Sequence, residues 1–145
     1  MAALLKLPDY LEQVSKQKWK PGVLDCGTFM AGWVEQLTGI DPIADVRGSY
    51  ASERQFMRIV RREGGLEASC RSRLERVGAT ETAHPEAGDI LLVMAPYAVR
   101  KGHVQSRPTG AIAVSAFKTA VVTSDMGIVI AGTNRLPTLR AWTFR

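Results

Sequence analysis

The spacing of apolar positions changes character once along this chain, close to Pro85. Ahead of it, apolar residues recur at intervals of three and four, the period of helices that bury one face. Tyr10, Leu11 and Val14 make the first such stripe, with Asp9 and Glu12 placed as an N-cap and its capping-box partner. Trp19-Lys20-Pro21-Gly22 breaks it. A second helix is predicted from Cys26, with Asp25 as N-cap and Phe29, Met30, Trp33, Val34 and Leu37 on one apolar face. Gly39 closes it, and Asp41-Pro42 prevents continuation. Ser52 and Gln55 open a third helix through Phe56, Met57, Ile59 and Val60, stopped by Gly64-Gly65. Leu66, Cys70, Leu74 and Val77 mark a fourth, ending at Gly78, in which Cys70 reads as a small buried hydrophobe.

Beyond Pro85 the pattern shortens to runs of strand length. Gly88 to Met94, Ala111 to Ala116, Ala120 to Ser124, Ile128 to Ala131 and Leu139 to Phe144 are predicted strands. Turn chemistry separates the later ones at Pro108-Thr109-Gly110, Asp125-Met126-Gly127 and Asn134 to Pro137. The long polar stretch from Ala95 to Gly110 reads as an exposed loop. Helices followed by strands predict an α+β fold, a helical N-terminal half packed on a C-terminal antiparallel sheet. A length of 145 residues suits a single domain over 1–145.

Composition narrows the function classes. The balance of 46% hydrophobic and 23% charged residues is that of a soluble globular chain. The apolar run in Met1–Pro8 is too brief for a signal peptide, and no stretch is long enough to span a bilayer. A protein used without crossing a membrane by the secretory route is therefore expected, with Cys26 and Cys70 as free thiols. Two cysteines and two histidines, His84 and His103, show no ligand spacing, so neither metal nor cofactor is expected. The formal charge of +5 gathers in Arg54, Arg58, Arg61, Arg62, Arg71, Arg73 and Arg76. Such a stripe suits phosphate or an acidic partner. Without aromatic interleaving or a helix-turn-helix pattern, it reads as the solvated face of two helices, and nucleic acid is not the expected partner.

Cys26 is the residue around which chemistry would centre. At the first turn of a helix, unpaired amides and the helix dipole favour a thiolate, and the Gly27 amide could serve a developing oxyanion. The adjacent Asp25 works the other way, since a carboxylate disfavours a second negative charge.

Val23-Leu24-Asp25-Cys26-Gly27-Thr28-Phe29, with Trp33 and Leu37-Thr38-Gly39, resembles the cysteine-bearing helix of NlpC-type peptidases, papain-like enzymes that cut peptidoglycan stem peptides. Gly88-Asp89-Ile90 resembles the family's Gly-Asp-hydrophobic strand opening. A closer resemblance is to a phage and prophage tail-tip family related to those peptidases. It is carried by Asp25-Cys26-Gly27, Thr38-Gly39-x-Asp41-Pro42, Arg47-Gly48-x-Tyr50, Gly64-Gly65-Leu66, Gly88-Asp89 and Ala141-Trp142, and spans nearly the whole chain.

The resemblance implies an NlpC-like papain fold in the tail tip of a long-tailed phage. The protein would be made in the host bacterial cytoplasm and incorporated in the virion, with the hub and central fibre proteins as neighbours. It also implies a catalytic histidine at the start of the strand after the Gly-Asp strand. The matching stretch here is Thr109-Gly110-Ala111-Ile112-Ala113-Val114, without one. A cysteine nucleophile needs a base to hold the thiolate and an acid to protonate the leaving amine. Two expectations follow. One is a structural tail-tip component whose peptidase activity is lost or reduced. The alternative is an active endopeptidase or amidase acting on peptidoglycan, with Cys26 as nucleophile and His103 as the candidate base.

Overall fold

A computed structural model describes residues 5–145; Met1 to Leu4, the start of the opening apolar run, lie outside the described residues. Four helices come first: α1 (Leu7–Ser15), α2 (Cys26–Thr38), α3 (Glu53–Arg62) and α4 (Leu66–Arg76). Six strands follow: β1 (Thr80–Glu81), β2 (Ile90–Arg100), β3 (His103–Ala113), β4 (Lys118–Thr123), β5 (Gly127–Gly132) and β6 (Thr138–Thr143). They form one antiparallel sheet in the order β1-β6-β2-β3-β4-β5. The class is α+β, as the segregation of periods predicts. No described helix is long and apolar enough to cross a membrane.

The helix starts depend on local chemistry, with one correction. Asp9 is not the N-cap of α1. The cap is Lys6, which makes no side-chain cap bond, and the helix begins three residues earlier, with Pro8 in its first turn. Proline is preset for that position and gives up an amide that would be unpaired anyway, while Asp9 complements the helix dipole from inside the turn. Ser52 caps α3 by accepting from the Gln55 amide. Gly39 ends α2 in the left-handed region at φ 77°.

One core lies between the helices and the sheet. Tyr10, Phe29, Trp33 and Val34 meet Ile90, Leu92, Ile112, Ala120, Val122 and Trp142 there, and Cys70 is buried among them as its helical spacing predicts. Polar tips inside this core are tied off. The Tyr10 hydroxyl donates to the Phe29 carbonyl at 2.7 Å, and the Trp33 indole donates to the Gly88 carbonyl at 2.8 Å. The far face of the sheet buries a second cluster to which no helix contributes, including Leu91, Val93, Ala111 and Ala141. Leu136, just beyond β5, packs into it.

The stretch from Ala95 to Gly110 is not a loop. It is the outer part of a long hairpin in which β2 and β3 stay paired from Ile90↔Ile112 to Arg100↔His103. A two-residue turn closes it, with Lys101 at φ 51° and Gly102 at φ 77°, the double positive φ of the turn whose twist suits a hairpin. Pro96 and Pro108 disguise these strands in the sequence. Pairing of β2 with β6 ends at Val93 and pairing of β3 with β4 begins at Ile112, so the outer hairpin has open edges. A missing amide costs little on an open edge, and a bulge between Pro96 and Ala98 takes up the other irregularity.

Arg73 leaves the solvated arginine stripe for the interior. Its five N–H groups reach Glu63 (Nε 2.9 Å, Nη2 2.5 Å), Asp45 (2.6 and 3.1 Å) and the Pro42 carbonyl (3.1 Å). It thereby ties the 41–50 segment to α3 and α4. Arg54, Arg58, Arg61, Arg62 and Arg76 are exposed as predicted, and Arg71 is half-buried beside Glu75 and Glu81.

Candidate functional site

The site is built on the first turn of α2. Asp25, extended at φ −146°, accepts from the Thr28 amide at 2.8 Å, while the Thr28 hydroxyl accepts from the Asp25 amide at 2.8 Å. The same buried carboxylate also accepts from the Gly22 amide and the Tyr50 hydroxyl, each at 2.8 Å. Its negative charge therefore sits where the helix dipole would otherwise favour a thiolate. Tyr50 is the residue that sequence reasoning passed over as chemistry, although it closes the Arg47-Gly48-x-Tyr50 motif. Burial, and then the charge of Asp25, push its phenol above the ordinary tyrosine range.

Cys26 occupies the first helical position, as predicted, and keeps part of its residue surface. Its thiol is surrounded by packed groups. Burial pushes it up to about 11, against a backbone hydrogen bond from Gly110 and the charge of Arg107, with Asp25 and Glu53 adding to the rise. The expected lowering by the helix start is outweighed, because desolvation and the neighbouring carboxylate oppose it together. At neutral pH about one molecule in ten thousand carries the thiolate.

Gly110 lies in the stretch Thr109–Val114, where the resemblance implies a histidine. A Cβ built on it would run into the side chain of Met30, which fills the space between β3 and α2. An imidazole at this position requires Met30 to leave. Nor do the chain's two histidines come to the thiol. His103 begins β3 at the exposed tip of the hairpin, and the positions from 103 to 110 span about 23 Å of extended strand. The hairpin pairing removes the folded-back loop that would have brought it near. His84 is exposed in the turn ahead of Gly88. Among the described residues no cluster of His, Cys, Asp and Glu could hold a metal ion.

The other charges that act on the thiol belong to Glu53 and Arg107, joined by a 2.5 Å ion pair, with the Arg107 guanidinium 4.7 Å from the centre of the Tyr97 ring. The pair links the start of α3 to the hairpin, a contact between distant parts of the chain that no local pattern announces. Behind the site, a small apolar cavity of about 60 Å³ runs between α2, α3 and α4, with Gly27, Met30, Phe56 and Cys70 on its wall. Cys26 does not line it. Burial pushes the Cys70 thiol up to about 12, which suits a packing role.

The Gly88-Asp89 motif is structural. Gly88, at φ 91°, lets the chain turn against the Trp33 ring. The Asp89 carboxylate, buried, accepts from the Glu86 amide at 2.9 Å and from Arg145 at 2.8 Å. The arrangement thus holds a rigid, protonated thiol with a carboxylate–phenol pair beside it and no imidazole in reach.

No curated protein and no solved structure matches the chain significantly. One family model matches residues 5–144, nearly the full length, and its description is "Domain of unknown function (DUF6950)". The chain belongs to that family.

Proposed function

We propose that this chain is a structural component of a long-tailed phage tail tip, in the hub or baseplate region, built on an NlpC-like papain fold whose peptidase activity is lost or reduced. The order of motifs from Asp25-Cys26-Gly27 to Ala141-Trp142 supports the ancestry. The observation that supports the loss of activity is the stretch Thr109–Val114, which holds no histidine where the resemblance implies one, with Gly110 in it packed on Met30. Amide hydrolysis by a thiol needs a proton removed from sulfur and another delivered to the leaving nitrogen. Tyr50 serves neither step, since its hydroxyl is committed to Asp25 and its phenol is held above the usual range. What remains is a compact domain whose hub and central fibre neighbours would be met through its surface.

The test is genetic and biochemical. Virions carrying Cys26→Ala should assemble and infect normally, whereas deleting the protein should block tail-tip assembly. Intact tails from the deletion strain would sink the structural role. Hydrolysis of purified muropeptides by the wild-type chain, abolished by Cys26→Ala, would instead establish the active peptidase.

A further inference from the structure

The net charge of the chain is concentrated on two elements. Arg54, Arg58, Arg61 and Arg62 against Glu53 give α3 a charge of +3, and Arg100, Lys101 and Arg107, with no acid among them, give the β2–β3 hairpin another +3. The whole chain carries +5, so everything else sums to −1. All seven cations are exposed, and of them only Arg107 belongs to an ion pair among the described residues. On α3 the four arginines fall at intervals of three and four, one stripe on the side away from buried Val60. Along the hairpin, side chains alternate between faces, so His103 and Arg107 share one face, and Arg100 joins it opposite His103. Val99 and Val104 pair on the other face. The 2.5 Å pair between Glu53 and Arg107 sets the first turn of α3 against the hairpin, so the two cationic groups adjoin.

We infer that α3 and the hairpin form one surface for the phosphate backbone of duplex DNA. Six of the seven cations are arginines, whose guanidinium forks match phosphate oxygens. An anion that repeats along its length suits cations spread over two elements better than a compact acidic group does. The hairpin also has the right width. Pairing with β6 stops at Val93 and pairing with β4 starts at Ile112, so from Ala95↔Arg107 to Arg100↔His103 it is a two-stranded ribbon about 14 Å long. The major groove of B-form DNA admits a ribbon of two strands. With the ribbon there, the arginine stripe of α3 is left to meet the backbone beside the groove. An anionic membrane fits less well. Val99 and Val104 lie on the opposite face from Arg100 and Arg107, so cations and exposed apolar side chains do not meet a bilayer together.

Fluorescence anisotropy of a labelled duplex oligonucleotide of arbitrary sequence, titrated with the full chain between about 50 and 200 mM salt, tests this. The expected slope of log affinity against log salt is about −5, close to −0.9 for each of the six cations outside the Glu53 pair. Arg58→Gln with Arg61→Gln, and separately Arg100→Gln with Lys101→Gln, should each weaken binding at least about tenfold and make the slope shallower by about 2. Circular dichroism should stay that of the wild type in both. Lys16→Gln with Lys18→Gln removes the same charge from exposed positions outside the surface and should change neither affinity nor slope. A slope shallower than about −2, a loss in only one of the two arginine-bearing variants, an equal loss in the lysine variant, or binding to phosphatidylglycerol vesicles without binding to the duplex would each overturn the inference.

Discussion

Alkylation of Cys26 as a function of pH reads the protonation state of the candidate nucleophile directly. Desolvation and the Asp25 charge raise its thiol from 9.0 to about 11, so the thiolate fraction at pH 7 falls about 100-fold relative to an unperturbed cysteine. A more basic thiolate is also a better nucleophile, which returns close to tenfold of that loss. The net expectation at pH 7 is iodoacetamide alkylation about tenfold slower than for a free cysteine of the same accessibility. The shape of the profile is more diagnostic than the absolute rate. The rate should climb about tenfold per pH unit from pH 7 to pH 10 without levelling, because the group titrates only beyond that range. Peptide mass spectrometry separates Cys26 from Cys70, which is buried and pushed up to about 12 and should remain unmodified in the folded protein. A rate that levels off below pH 8 would refute the reasoning: it would mean that the helix start had beaten desolvation and that a thiolate stands ready at neutral pH.

Three further outcomes follow from the same contacts. Asp25→Ala removes the α2 cap and leaves the Tyr50 hydroxyl and Gly22 amide unpaired, costing about 3 kcal/mol and lowering Tm by about 10 °C; Asp25→Asn keeps the cap, removes the charge, and should move Cys26 alkylation to lower pH. Arg73→Met should cost about 3 kcal/mol in urea unfolding, at the low end for a broken buried pair because Asp45 is largely exposed. Hydrogen bonds from Arg73 hold the Asp45 and Glu63 carboxyls below their ordinary values. Their contribution is therefore complete above about pH 4–5 and lost as pH falls through the lowered values, and Arg73→Met should flatten that acid loss. His103→Ala, at the hairpin tip, should leave both the Cys26 profile and Tm unchanged.

Much of this protein was readable without coordinates because the deciding physics is local. A three-and-four spacing of apolar residues makes a helix wherever it occurs, and Asp25 caps α2 through the amide three residues away. The position of Cys26, the burial of Cys70, the end of α2 at Gly39 and the α+β order of elements all belong to this class. At α1 even the local reading was off by a turn, since Asp9 had a rival in Pro8, whose fixed φ starts the helix earlier. The hairpin between Ala95 and Gly110 was hidden because two prolines argue against strands, and only its lack of outer neighbours makes them harmless. Arg73 looked like its exposed neighbours because nothing nearby in the chain reveals Asp45 or the Pro42 carbonyl, about thirty residues away.

The sequence by itself determined that a thiol stands at the mouth of an apolar helix, and that no histidine occupies the strand position where one would be sought. Tertiary structure decided what that thiol is. Gly110, Arg107 and Glu53 come to Cys26 only through packing of β3 and α3 against α2, and burial is a property of the assembled core. A pKa responds to everything within a few ångströms, whatever its place in the chain. The same rule applies to the sheet: β5 is an ordinary apolar strand in sequence, and only the strand order makes it an end strand among the described residues.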